Sequence, residues 1–216
     1  MSVITISRQL GSHGGRIARG LAKELGWKFA DKATINGVIK QYGLIHLDNI
    51  YGERAPGFWE LFQEDSVWTI EWMNKTIEAI GNTGDVVVLG RGGFAVLGDY
   101  ADSLDVFVTA PLETRAHRIA LRDGITDEAA AAKIQSDDKT RRRFTKRIYG
   151  ADWADEANFD LVLDTGDLSD EEAIAQIVAA YRERTANPPE GARVADAEID
   201  PVLHDSITKV LRETHS

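Results

Sequence analysis

Short apolar runs alternate along most of the chain with segments of helical spacing. Runs rich in β-branched and aromatic residues predict buried strands, and apolar residues at steps of three or four predict helices packed against them. Five strands are predicted in this way, at 3–6, 27–30, 86–89, 104–109 and 159–163. Because strands that alternate with helices are joined by crossovers, the pattern indicates an α/β protein with a parallel five-stranded sheet.

The predicted helices lie between these strands and continue after the last one. Apolar spacing and capping signals place them at 17–25, 33–42, 58–80, 111–123, from 126 onward, and 169–184. Residues 185–200 break the pattern with Asn, Pro and Gly, which indicates a linker or a surface loop. A last helix begins at Pro201, and its apolar face either packs on the core or forms a dimer contact. The chain thus divides into a main domain, 1–184, and a linker with a C-terminal helix, 185–216.

The stretch from Val3 to Arg16, reading VITISRQLGSHGGR, combines a strand, a glycine-rich turn and the start of a helix. Glycines allow backbone N–H groups to converge on an anion, and the helix N-terminus adds partial positive charge. This order predicts a phosphate cradle. The usual P-loop motif, G-x-x-x-x-G-K-[ST], is missing, because the turn ends in Gly14, Gly15 and Arg16. An ordinary strand-to-helix turn is the alternative.

Polar residues also follow the second and third predicted strands, at the sheet edge where open α/β proteins bind ligands. Arg91 lies in a glycine turn, where an uncrowded guanidinium can clamp a phosphate through two parallel hydrogen bonds. Asp31 and Lys32 follow the second strand, and Asp31 is a candidate for holding a hydrated Mg²⁺ or a hydroxyl group. The alternatives are a surface arginine in a tight turn and an aspartate that only caps the strand end.

A basic segment interrupts this acidic chain at 139–147, where six of nine residues are Lys or Arg. Its position between a helix and the fifth strand favours a hinged lid, at about 125–155, that closes arginines over a polyphosphate. Such a lid supplies its charge only when closed, which suppresses hydrolysis. A solvated helix face and a nucleic-acid contact are the alternatives.

Composition narrows the class of protein. The 216 residues suit one domain, and the net charge of −10 argues against general binding to nucleic acid or anionic membranes. The chain has no apolar run of about eighteen residues that would predict a membrane span. It also has no Cys, so disulfides and thiolate metal sites are excluded, and a cytoplasmic protein is the expectation.

Four stretches together resemble the cytidylate kinase-like family of P-loop nucleoside-monophosphate kinases. The opening ITISRQLGSHGGRIA is similar to that family's ISRxxGSGGxxIA loop, which itself lacks the P-loop lysine. VVVLGRGG and the strand and helix after it resemble the GRD turn and following elements of true cytidylate kinases. IQSDDKTRRR resembles their lid, and FDLVLDTGDLSDEEAIAQI resembles their last strand, base loop and final helix.

The resemblance runs from residue 3 to about 180. It implies a three-layer P-loop NTPase fold with helices on both faces of the parallel five-stranded sheet and a small helical lid. It also implies ATP as phosphoryl donor together with Mg²⁺, and a nucleoside monophosphate or another small molecule as acceptor.

Site residues are implied in the same way. Those expected to bind the donor are Ser7, Arg8, Gly11, Ser12, His13, Gly14, Gly15, Arg16, Asp164 and Thr165. Within this set, Ser12 is the candidate Mg²⁺ ligand, and Arg16 is the candidate substitute for the missing lysine. Those expected to bind the acceptor or orient the lid are Asp31, Lys32, Arg91, Asp137 and Asp138. Those expected to carry catalytic charge are Arg16, Arg91, Arg141, Arg142 and Arg143.

The acceptor side departs from the cytidylate kinase pattern. Those kinases continue from the second strand as DSGxxYR, whereas this chain has Asp31, Lys32 and no matching Arg, and Gly92 stands at the aspartate of the GRD turn. We expect ATP-dependent phosphoryl transfer to a nucleoside monophosphate, with CMP and dCMP as the leading candidates. A kinase of a non-nucleotide small molecule and a non-catalytic nucleotide-binding regulatory protein are the alternatives. Nucleic-acid and membrane partners are not expected, and a homodimer is an open alternative.

Overall fold

Five parallel strands form one sheet through the centre of the protein. The computed structural model describes residues 2–41 and 64–213. The strands are β1 (Val3–Arg8), β2 (Lys28–Ala30), β3 (Val86–Leu89), β4 (Ser103–Thr109) and β5 (Leu161–Asp164). Their order across the sheet is β2-β3-β1-β4-β5, and each neighbouring pair is parallel. The predicted parallel five-stranded α/β sheet is confirmed.

Helices cover both faces of this sheet. In the described residues they are α1 (Gly14–Leu25), α2 (Lys32–Gln41), α3 (Glu64–Asn82), α4 (Gly93–Leu97), α5 (Leu112–Asp123), α6 (Asp127–Tyr149), α7 (Asp170–Ala186) and α8 (Pro201–Glu213). Helices α1 and α7 pack on one face, and α2, α3, α4 and α8 pack on the other, which makes three layers. No helix in the described part of the chain is long and apolar enough to cross a membrane.

The sequence of β3 is an unbroken apolar run because both faces of this strand are buried. Val86 and Val88 belong to the apolar cluster with α2, α3 and α8, while Val87 and Leu89 belong to the cluster with α1 and α7. All four side chains are buried. Consecutive side chains of a strand point to opposite faces, so a sheet covered on both sides requires apolar residues at every position.

Helix α6 is a single helix of 23 residues. Thr126 caps it by accepting a hydrogen bond from the Ala129 N–H, which agrees with the helix start predicted at that residue. Its N-terminal half packs on α5 through a small apolar cluster that includes Ile119 and Ile134. Its C-terminal half carries the basic segment and reaches the end of β1 through Arg141.

Helix α8 packs on the protein's own core. Its apolar face is buried in the cluster shared with α2 and α3 and consists of Leu203, Ile207, Val210 and Leu211. The preceding segment is held by Asn82, whose side-chain amide donates to main-chain oxygens of 194–197 at 3.0 to 3.3 Å. Core packing is therefore the alternative for this helix that the structure shows.

Candidate active site

The turn after β1 is held in shape from inside the protein. Gly11 and His13 both have left-handed backbone conformations, with φ of 87° and 62°. The hydroxyl of Ser12 lies 2.9 Å from the main-chain oxygen of Gln9 and 2.9 Å from that of Val108 in β4. Ser12 is fully buried. Ser7 is also buried. Ser12 thus anchors the turn to β4, and binding Mg²⁺ would require its hydroxyl to leave these two oxygens.

The loop after β5 packs against the same turn. Thr165 is buried, and its hydroxyl lies 2.9 Å from the main-chain oxygen of Ser12. Arg118 of α5 joins both segments, since its guanidinium donates to the Thr165 oxygen at 2.7 Å and to the Gly11 oxygen at 3.3 Å. Asp164 is exposed. Arg118 was not among the predicted site residues. Its position in a helix that resembles the arginine-containing helix of the family could have indicated its contact with the turn.

Arg16 points toward α7 in this structure. Its Nε atom lies 2.9 Å from Oδ2 of Asp170, and 70% of its side chain is exposed. The other carboxylate oxygen of Asp170 lies 3.2 Å from Nδ1 of His13. Gly14 and Gly15 form the start of α1, directly before Arg16. The expected substitute for the P-loop lysine is therefore engaged by a carboxylate that joins the turn to α7.

Three arginines from different elements converge beside the turn. Arg8 ends β1, Arg91 follows β3, and Arg141 lies on α6. Burial is the main cause that lowers the pKa of Arg8 to about 10, and the positive charges of Arg141 and Arg91 act in the same direction. The nearby carboxylates of Asp137 and Asp31 act in the opposite direction. Cations held this closely favour an anionic ligand, because an anion offsets their mutual repulsion.

The turn that carries Arg91 has an unusual backbone. Gly90, Arg91 and Gly92 follow one another with φ of 72°, 59° and 76°. A non-glycine residue in this region costs about 1–2 kcal/mol, and such strain is often found at ligand sites. A Cβ atom at Gly92 would lie only 2.6 Å from Cε2 of Tyr149. The end of α6 therefore packs directly on this turn, and Arg91 is half-buried rather than a simple surface residue.

Arg141 is the arginine of the basic segment 139–147 that points toward the turn, a choice that the sequence left open. Its Nη1 atom donates to the main-chain oxygen of Arg8 at 2.9 Å. Its Nη2 atom lies 2.8 Å from the carboxylate of Asp137, one helical turn earlier. The guanidinium also lies 5.6 Å from the ring centre of Trp153. These contacts hold the Arg141 guanidinium beside the end of β1.

The other predicted lid residues divide between the exterior and α5. Arg142 is 59% exposed, and its Nε atom lies 2.9 Å from Asp152. Arg143 is exposed as well. Asp138 accepts a hydrogen bond of 2.9 Å from Arg115, which is buried on α5. Asp138 therefore fixes α6 to α5, and Arg142 is paired with Asp152 on the exterior.

Asp31 caps the N-terminus of α2. Its Oδ1 atom accepts hydrogen bonds from the N–H groups of Ala33 and Thr34 at 2.8 and 3.3 Å, and its Oδ2 atom lies 3.2 Å from Arg19. Asp31 therefore caps the helix after the strand, and its binding of Mg²⁺ or an acceptor stays a prediction. Lys32 is exposed at the start of the same helix. In the described part of the chain, no three His, Cys, Asp or Glu side chains come together as a metal site.

Comparison with known proteins gives the same picture of the family and the fold. A model of the cytidylate kinase-like family matches residues 3–167. The cytidylate kinase of Ignicoccus hospitalis is 32% identical over 179 residues, which is 82% of this chain and 97% of that protein. The cytidylate kinase of Pyrobaculum aerophilum is 31% identical over 81% of this chain and 89% of that protein.

Solved structures show the same architecture at low sequence identity. An uncharacterised protein from Eubacterium ventriosum has a TM-score of 0.66 at 18% identity, covering 85% of this chain and 100% of that one. A gluconokinase from Sinorhizobium meliloti has a TM-score of 0.50 at 13% identity, covering 86% of this chain and 94% of that one. These likenesses support the α/β P-loop fold.

Proposed function

This chain belongs to the cytidylate kinase-like family and is a kinase-like phosphotransferase, and we propose that it moves the γ-phosphoryl group of ATP to a nucleoside monophosphate, with CMP and dCMP as the first candidates. Relatives named cytidylate kinase support this acceptor class. Mg²⁺ is proposed to enter bound to the phosphates of ATP. Ser12 is turned inward, and the described residues supply no cluster of carboxylates for a resident ion.

The observation that carries the proposal is the convergence of Arg8, Arg91 and Arg141. In phosphoryl transfer, negative charge spreads over the equatorial oxygens of the transferred group, and the protein has little covalent chemistry to perform. Its contribution is to align donor and acceptor and to place cations on those oxygens. Three guanidiniums beside a glycine-rich turn meet that requirement without a covalent intermediate.

Each segment has a proposed part in this arrangement. The turn from Gly11 to Gly15 holds the donor phosphates with backbone N–H groups at the start of α1. Arg91 clamps the acceptor phosphate through paired hydrogen bonds. Arg141 neutralises charge from the lid side and, with Trp153 behind it, helps to exclude water.

A kinase of a non-nucleotide small molecule is the second candidate function. The residues around Asp31 and Gly92, on the acceptor side of the site, support this candidate. The carboxylate of Asp31 is engaged by the α2 cap and by Arg19. A side chain at Gly92 would overlap the Tyr149 ring unless that ring moved, and the φ of 76° at this position also favours glycine. These positions match the ones that differ from the DSGxxYR and GRD motifs of true cytidylate kinases.

The test is ADP release from MgATP across CMP, dCMP, UMP, AMP, GMP and dTMP, with a control that contains no acceptor. We expect release above the control with one or two pyrimidine monophosphates, and loss of that release in Arg91→Ala. Release with none of the six, from a folded protein that binds ATP, would overturn the nucleotide acceptor and favour a small-molecule acceptor or a regulatory nucleotide-binding role.

A further inference from the structure

The start of α1 shows which residues of this turn stand at the positions of a P-loop motif. The role inferred from this alignment rests on the proposed kinase function. In the motif G-x-x-x-x-G-K-[ST], a helix follows the loop, and glycines stand one and six residues before the lysine. Helix α1 begins at Gly14. Gly14 therefore occupies the lysine position, and His13 and Arg8 occupy the two glycine positions. His13 has the left-handed backbone, with φ 62°, that suits glycine at its position.

The side chain of Arg8 occupies the space next to the lysine position. A Cβ atom added to Gly14 would lie 2.4 Å from the Cβ atom of Arg8 and 3.0 Å from its Cγ atom. Farther along, a Cβ atom added to Gly90 would lie 1.9 Å from Nη1 of Arg8. The Arg8 side chain therefore runs from the start of α1 to the turn that carries Arg91. Glycine is required at Gly14, where the Arg8 Cβ atom is too close for a side chain, and the positive φ of Gly90 favours glycine there.

The electrostatic surroundings of Arg8 and Arg16 differ. Burial is the main cause that lowers the pKa of Arg8, and the cations Arg141 and Arg91 add to this effect, while Asp137 and Asp31 act in the opposite direction. No carboxylate in the described part of the chain lies within ion-pairing distance of Arg8. Arg16, by contrast, is mostly exposed and lies 2.9 Å from a carboxylate oxygen of Asp170. A buried cation among cations calls for an anion, whereas Arg16 already has one.

We propose that Arg8 is the phosphate-contacting cation that takes the place of the P-loop lysine in this protein, and that Gly14 is glycine because the Arg8 side chain crosses it. Arg16 has a different part, which is to tie the turn to α7 through Asp170. The loss of the lysine at one position and the gain of an arginine six residues earlier thus form one exchange.

The first test compares Arg8→Gln, which keeps most of the stem, with Arg8→Lys, Arg16→Gln and the exposed Arg122→Gln as matched variants. We expect Arg8→Gln to lower kcat by about 100-fold or more and to weaken inorganic tripolyphosphate binding by about 10-fold or more. Arg8→Lys should recover part of both losses, and Arg16→Gln should lose far less. The reverse ranking, with Arg16→Gln the more damaging change, would overturn the proposal.

Tripolyphosphate and ATP binding, measured by titration calorimetry, separate this proposal from the proposed function. If the wild-type protein transfers phosphate to no acceptor, the kinase proposal fails, but Arg8→Gln must still weaken binding more than Arg16→Gln. If transfer occurs and the two variants bind and turn over alike, the proposal for Arg8 fails while the kinase function stands.

A rescue experiment tests the exchange itself. The triple variant Arg8→Gly, His13→Gly, Gly14→Lys rebuilds the motif G-x-x-x-x-G-K in this turn. We expect it to be at least about 10-fold more active than Arg8→Gly alone. Gly14→Lys alone should be inactive, because the new side chain overlaps Arg8. A folded triple variant that is no better than Arg8→Gly would contradict the exchange.

Discussion

Nη1 of Arg141 donates a hydrogen bond of 2.9 Å to the main-chain oxygen of Arg8. One residue belongs to helix α6 and the other ends strand β1, so the bond fixes Arg141 relative to the glycine-rich turn after β1. A cation that is already in place needs little reorganisation as charge develops on a transferred phosphoryl group. We therefore expect Arg141 to contribute more to turnover than its neighbours in the basic segment.

Replacing Arg141 with Gln is expected to lower kcat by about 100-fold. The matched variant is Arg142→Gln, which removes the same group from the next residue, where the guanidinium is exposed and paired with Asp152. That change should cost less than about fivefold. Steady-state kinetics with MgATP and the best acceptor measure both values, and equal losses would contradict the assignment of Arg141.

The ion pair between Arg115 and Asp138 is expected to stabilise the packing of α6 on α5. The Arg115 side chain is only 8% exposed, and it also donates from Nε to the Ala110 oxygen at 2.9 Å. Arg115→Met keeps the stem but leaves the Asp138 carboxylate without this partner, which should lower the free energy of unfolding by about 3 kcal/mol. Denaturant unfolding measures the change. The exposed Arg122→Met is the control, and a loss as small as the control's would contradict the prediction.

The parts of the fold that the sequence predicted well are those that depend on local signals. Gly26 has the left-handed conformation of a helix C-cap, and Ser169 forms a capping box with Glu172 at the start of α7. Both effects act within one helical turn, so their residue types alone indicate a boundary. Where the boundary depends on contacts with another element, prediction was less accurate. Pro111 precedes α5 in an extended conformation instead of forming its first residue.

The direction of the site's side chains was harder to predict than their location. Arg16 follows the glycine turn as expected, but its direction depends on Asp170, which only the folded chain brings near. Ser12 lies in the turn as expected, but its hydroxyl bonds to a main-chain oxygen of β4. The choice among Arg141, Arg142 and Arg143 likewise depends on which side of α6 faces β1. The first residues of the helix predicted at 58–80 lie outside the described residues, which show this helix from Glu64 to Asn82.

Because Arg91 has a left-handed backbone conformation, replacing it with glycine should remove backbone strain while it lowers activity. Arg91→Gly and Arg91→Ala both remove the guanidinium and should lower kcat/KM for the acceptor by about 100-fold. Glycine adopts φ 59° at little cost, whereas alanine is strained there as Arg91 is, so the Gly variant should be more stable than the Ala variant by about 1 kcal/mol. Thermal or denaturant unfolding of the two variants tests this difference. A more stable Ala variant would show that the turn is not strained at this residue.

Asp105 is expected to make stability depend on pH. Burial is the main cause that raises its pKa to about 7, although the Thr5 hydroxyl donates to its carboxylate. Between the unfolded pKa, near 4, and this raised value, the folded protein holds a proton that the unfolded chain has released. Stability should therefore fall as pH rises from about 4 to 7, by up to about 1.4 kcal/mol per pH unit, and level off above that range.

The Asp105→Asn variant isolates this effect, because it keeps an oxygen that accepts from Thr5 but does not titrate. Unfolding free energies measured for both proteins between pH 4.5 and pH 8 should diverge as pH rises, with Asn the more stable residue at pH 8. Parallel curves would show that Asp105 is not the group responsible.

Direct detection of the transferred phosphoryl group is the measurement that tests the central claim. ATP labelled at the γ-phosphate is incubated with the protein and CMP, dCMP or another monophosphate, and the products are separated. We predict that label appears in a nucleoside diphosphate in proportion to the ADP formed, and that Arg91→Ala slows the formation of this product by about 100-fold. A folded protein that binds ATP but labels no nucleoside diphosphate with any acceptor would contradict it.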